Sequence, residues 1–212
     1  MHRVNIKLRI MKEHNETGTI PAQYDGKEIV AQTIRECETI EAAVALFEVA
    51  RLRLLDVNRW NELTNQPVTN FQITDRFGTP VDRTVEEGDC LRIDIPGPGT
   101  KSGDGRDWVM VELIKEYDAP NVKSVGIRVR PTTNPGKMDK ATAHFYGPES
   151  TSTFTITQEG RQVTAAIYDK NLQINDTAEN LGDDIRNKLV GIIGIGVYSH
   201  HQWKMLTEGL LD

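Results

Sequence analysis

The side chains best suited to proton transfer or metal ligation are His200 and His201, adjacent near the C-terminus. Neighbouring helical residues point about 100° apart, so the two rings cannot share a face and make a poor metal pair. His200 falls near the centre of an apolar stripe that includes Ile185, Leu189, Ile193, Gly196, Trp203 and Leu210. Its ring is therefore expected to project inward. There it would serve either as a polar anchor or general base for a ligand, or as a core histidine bonded to a backbone carbonyl. His201 is expected to face an edge or water. Gly191, Gly194 and Gly196 lie in the same segment, and each costs about 1 kcal/mol relative to alanine inside a helix. Close packing, a kink or room for a ligand would account for them.

Other constellations are weaker. The stretch 97–105 is rich in glycine but runs into a strand, Trp108-Val109-Met110-Val111, whereas a phosphate cradle leads into a helix. A hairpin loop is the simpler reading, although Lys101 and Arg106 could grip an anion there. His144 lies between Ala143 and Phe145, so strand alternation assigns it to the polar face beside Tyr146, Arg128 and Arg130. Ser150 and Ser152 sit in a turn without a nucleophile elbow. No His, Cys or carboxylate spacing matches a closed zinc site, and Asp183-Asp184 and Glu86-Glu87 read as a helix start and a solvated turn. No metal and no cofactor is expected.

The elements that must position these residues are legible from periodicity. Val4, Ile6, Leu8 and Ile10 alternate like a strand, and residues 12–28 read as turns or loop. Ile40, Val44, Phe47, Ala50, Leu54 and Val57 step by three or four, which predicts an amphipathic helix over 39–63 with Thr39 as N-cap. From 68 to 170 the period is two: Phe71/Ile73, Leu91/Ile93/Ile95, Val109/Val111/Leu113, Val125/Ile127/Val129, Ala143/Phe145, Phe154/Ile156 and Val163/Ala165/Ile167. Short turns between these runs predict an antiparallel meander. Its opposite face, with Arg92, Asp94, Arg128, Arg130, Thr153, Thr155 and Thr157, is expected to be wet. A long C-terminal helix then covers the apolar face. The expectation is α+β: six to seven antiparallel strands against a C-terminal helix and an N-terminal helical segment. Residues 1–38 would form an extension and 39–212 a single domain.

Composition limits the function classes. The chain has 212 residues, 25 Lys plus Arg against 31 Asp plus Glu, and a net charge of −6. A pI near 5.4 with no basic stripe argues against a nucleic-acid partner. The two cysteines, Cys37 and Cys90, are far apart and read as separate reduced thiols. The longest apolar run, Leu189 to Tyr198, is about half of a bilayer core, and the N-terminus lacks a signal peptide's apolar centre. A cytoplasmic protein without a membrane span is the default expectation.

The element order resembles the START-like helix-grip superfamily, which includes pollen allergens, polyketide cyclases and lipid-transfer domains. A leading strand, a helix ending near Trp60-Asn61-Glu62-Leu63, an antiparallel run and a long final helix carry the resemblance over roughly 39–212. It implies a curved sheet around the last helix, with a cavity for apolar small molecules between them. No family catalytic motif is matched, and one strand too many is counted. The leading expectation is thus a module that binds an apolar or amphipathic small molecule. His200, Trp203, Gly196, Phe145, Phe154, Val111 and Ile127 are its candidate ligand-binding residues, with Phe71 and Ile93 in the wall. Such a site needs a cavity of more than about 300 Å³. The alternatives are a structural protein that homodimerises, for instance through residues 4–10, and a small cyclase- or hydrolase-like enzyme using His200.

Overall fold

The computed structural model describes residues 12–64, 69–94, 102–138, 140–175 and 199–212. Strand β1 (Lys27–Glu36) leads into α1 (Ile40–Leu55) and a 3₁₀ segment, Val57–Leu63. Strands β2 (Asn70–Thr74), β3 (Cys90–Asp94), β4 (Asp107–Ala119), β5 (Val122–Pro131), β6 (Thr151–Glu159) and β7 (Gln162–Leu172) follow. Residues 199–210 are helical and form α2. The seven strands make one sheet in the order β1-β7-β6-β5-β4-β3-β2, with every pair antiparallel. The first strand thus pairs with the last, and α1 with the 3₁₀ segment carries the chain from one sheet edge to the other.

Helix α1 starts where expected: the Thr39 hydroxyl accepts from the Ala42 N–H at 3.1 Å, and Glu41 lies in the first turn. It ends eight residues early. The Asp56 N–H donates to the Leu52 carbonyl, the chain tightens, and Trp60 Nε1–H donates to the Arg53 and Leu54 carbonyls that the helix end leaves over. Ala43, Phe47, Ala50 and Leu54 face the sheet, followed by Val57 and Trp60. They share one core with Phe71, Ile73, Leu91, Ile93, Val109, Val111, Val125, Ile127, Phe154, Ile156, Val163, Ala165 and Ile167, and with Leu206, Leu210 and Leu211 of the C-terminal segment. Both helices therefore lie on the same sheet face, as the α+β pattern requires.

Four expectations need correction. Residues 27–36, assigned to the extension before residue 39, form β1; the run Ile29-Val30-Ala31 has no clean alternation because both faces of this strand are partly covered. Ala143/Phe145 is not a strand: residues 132–150 are irregular, with Asn134-Pro135-Gly136 and Gly147-Pro148 interrupting the ladder. On β4, a bulge at Glu112 shifts the register, so Leu113 pairs with Arg128 and Ile114 replaces it beside Ile127. Glu112 then accepts from Arg128 Nε at 2.8 Å and from Arg130 Nε on the outer face.

The fourth correction concerns that outer face, which is not wet along its length. Residues 12–25 lie over it. Thr153, Thr155 and Thr157 are all 1% exposed or less. Ile20 packs on Ala166 and Tyr168, and the Thr19 carbonyl accepts from Thr153 Oγ1 and Arg128 Nη1. Gly126 makes this possible, since a β-carbon there would coincide with the Thr19 hydroxyl. Asn171, at φ +55°, pins the strap's end: its side chain accepts from the Tyr24 and Asp25 N–H groups and donates to the Ala22 carbonyl. The strand expected at 4–10 and the segment 176–198 lie outside the described residues.

Candidate functional site

Helix α2 lies at the β1–β7 side of the apolar face. Thr207 and Thr33 hydroxyls bond at 2.9 Å, and Lys204 Nζ donates to the Gln32 carbonyl and to Thr33 Oγ1, both at 2.9 Å. At the other side Gly209 has no side chain to collide with the Leu63 carbonyl. This seating turns Trp203 onto the sheet. Its ring lies edge-on to Phe154 at 5.5 Å and near Phe71 at 6.3 Å, while Trp60 lies tilted against Phe154 at 4.8 Å and edge-on to Phe71 at 5.2 Å. Four aromatic rings thus fill the space between the sheet, the 3₁₀ segment and α2. Such pairs gain stability beyond the area they bury.

One charged group is set into this apolar surface. Asp169 continues the inward alternation of Val163, Ala165 and Ile167 on β7, opposite Ser152 of β6. It is 3% exposed, and Trp203 Nε1–H donates to its Oδ2 at 2.7 Å. Its Oδ1 is buried without a hydrogen-bond partner among the described residues. Burial pushes this carboxyl up to about 6, against the opposing pull of the Ser152 hydroxyl and the Trp203 indole. Tyr146 is pushed up to about 12, by burial first and by the Asp169 charge second. A cleft of about 20 Å³, room for one water, opens beside Trp203 between Trp60, Asn61, Thr69, Phe71, Gln202 and Leu206. This cleft is far smaller than the expected cavity of more than about 300 Å³.

The residues named from sequence divide. Val111, Ile127, Phe154, Phe71 and Ile93 are buried on the shared face, and Trp203 packs against them. Phe145 stands apart, half-buried in the loop and edge-on to Tyr146 at 5.2 Å. His200 is exposed. The described stripe of α2 centres on Trp203, Leu206 and Leu210, and His200 lies roughly 90° round from it. With its ring in solvent it gains no interior partner. Gly196, like Gly191 and Gly194, lies outside the described residues, as does Lys101. Arg106 is engaged by Asp94 at 2.7 Å.

His144 also moves: it is turned inward to Asp107, with Nε2 3.8 Å from Oδ2, and its side chain is only 13% exposed. Burial lowers its pKa and raises that of Asp107. The Tyr146 N–H donates to His144 Nδ1 at 2.9 Å, which leaves the ring proton on Nε2 toward Asp107. Nδ1 is therefore committed, while Nε2 faces the Asp107 carboxylate beyond hydrogen-bond distance. Cys37 and Cys90 are free thiols; burial pushes Cys90 up to about 11, which keeps it protonated and inert. Among the described residues no cluster of His, Cys, Asp and Glu could hold a metal, and no helix is long and apolar enough to cross a membrane. Asp169 itself was missed by sequence reasoning, although extending the β7 alternation by one step would have found it.

No family model matches the chain, and no curated protein is similar to it. Among solved structures, a hypothetical protein from Helicobacter pylori aligns over 100% of this chain and 97% of its own, at 13% identity and a TM-score of 0.45. Norcoclaurine synthase from Thalictrum flavum aligns over 85% of each chain, at 9% identity and a TM-score of 0.37. A START superfamily protein from Mycobacterium smegmatis covers 86% of this chain and 96% of its own, at 11% identity and a TM-score of 0.34. The strand order and the two helices on one face are themselves those of an α+β helix-grip fold.

Proposed function

We propose that the protein holds an apolar or amphipathic small molecule between the sheet and the C-terminal helix. The observation that carries this reading is Asp169: a carboxylate with one unbonded oxygen, set into an aromatic surface at the junction of β7 and α2. Apolar walls with a few fixed polar groups are the chemistry of small-molecule sites. Trp203, Phe154, Phe71, Val111 and Ile127 would supply the wall and Asp169 the anchor. A ligand larger than the present cleft has to enter beside Trp203 by moving that ring.

A second reading, a structural protein with a filled core, is favoured by the 20 Å³ cleft. Native mass spectrometry of the purified full-length chain separates the two. A bound mass that is lost on denaturation, together with quenching of tryptophan fluorescence by N-phenyl-1-naphthylamine, is the expected result. A ligand-free spectrum and no uptake of the probe would leave only the structural reading.

A further inference from the structure

We infer that the molecule held there presents a hydrogen-bond-donating head, a hydroxyl or an ammonium, to Asp169 Oδ1 and not a carboxylate. This inference rests on the ligand-binding reading above.

A carboxylate only accepts, and a buried acceptor without a donor is costly. Of the two Asp169 oxygens, Trp203 satisfies one; the Ser152 hydroxyl lies close enough to favour the charged carboxyl, but among the described residues the other oxygen has no partner in hydrogen-bond geometry. A second acceptor near the same rings, Asn61 Oδ1, is also buried and unpartnered, but it lines the cleft that has room for a water. Asp169 does not line that cleft. Both open positions in this part of the fold therefore call for donors.

Among the described residues, the cations bonded to β1 and to the end of α2 are already used. Lys204 is bonded to Gln32 and Thr33 of β1, and Arg53 donates to the Gly209 and Leu210 carbonyls at the end of α2. Arg128 and Arg130 lie on the opposite face with Glu112. A carboxylate head beside Asp169 would meet a like charge at low dielectric, whereas an ammonium or hydroxyl would complete the unmade bond.

The test uses four probes with the same chain and different heads. Dodecan-1-ol, dodecylammonium, methyl dodecyl ether and dodecanoate, each below its micellar concentration, compete with N-phenyl-1-naphthylamine for the full-length protein near pH 7.5. The alcohol and the ammonium are expected to bind about tenfold or more tightly than the ether and the carboxylate, as a hydrogen bond to a charged group predicts. Asp169→Leu should abolish that preference. Asp169→Asn keeps an acceptor, so it should spare the alcohol and weaken the ammonium. Binding without head-group preference, or tightest binding of dodecanoate, overturns the inference while leaving the ligand site standing. No displacement by any probe, with no uptake of the fluorophore, overturns both. The ranking in the unaltered protein decides the matter even if the Leu variant does not fold.

Discussion

A carboxyl group enclosed on the apolar side of a sheet destabilises the fold whenever it is ionised, and Asp169 is such a group. Its folded value, about 6, lies above the ordinary aspartate value near 3.8. Below pH 4 the carboxyl is protonated in both states and adds no penalty. As pH rises from 4 to 6 the unfolded chain ionises first, so stability falls through that window and stays lower above it. Two units correspond to about 3 kcal/mol as an upper value. Asp107, also raised by burial, adds a decline of the same sign, so in denaturant melts Asp169→Asn should reduce the decline between pH 4 and 6 and not abolish it. An unchanged profile would mean that Asp169 is not the group responsible. His144 cannot mimic the effect, because its pKa is lowered and its contribution runs in the opposite direction.

At the scale of elements, the strap over residues 12–25 explains a sheet face that is polar in sequence and yet buried. Thr153 and Thr155 on β6 donate their hydroxyls to the Thr19 and Ala166 carbonyls, so they satisfy their bonds without water. Gly126→Val should push Thr19 off the strand and cost about 1–3 kcal/mol, as overfilling a packed site does. Amide hydrogen exchange is expected to rise in 12–25 and to stay unchanged in α1; equal protection in both proteins would contradict the close contact. Periodicity could not reveal this strap, because Thr17, Gly18, Thr19 and Ile20 carry no repeat and the sheet residues that Thr19 bonds, Arg128 and Thr153, are 109 and 134 residues away. The same limit explains the Glu112 bulge. Alternation foretold Leu113 as a core residue, and only the pairing with β5 shows one residue too many.

Across the whole molecule, β1 is the element that closes the fold. It pairs Ile34 with Thr164 and Ala31 with Ile167, so its ladder joins chain segments far apart in sequence. It also offers Thr33 to α2. A chain that starts at residue 39 loses this strand, leaves β7 as an open edge and takes away the docking site of Lys204 and Thr207. Such a fragment is expected to lack a cooperative unfolding transition by circular dichroism; a native-like melt would show that 39–212 is self-sufficient. The full chain, dominated by non-local antiparallel pairs, should fold in milliseconds to seconds and not in microseconds.

What the sequence by itself determined is local: the N-cap of α1, most of its apolar stripe, the inward residues of six strands and the α+β class all follow from spacing within a few residues. Tertiary structure alone decided the rest. It turned His200 out to solvent, drew His144 in to Asp107, laid a strap on the outer face and filled the space under α2 with four aromatic rings. These outcomes depend on which distant segments meet, and no periodicity within one segment encodes its partner. The buried oxygen of Asp169 belongs to both sides: alternation along β7 points the residue inward, and only the packing around it leaves that oxygen without a donor.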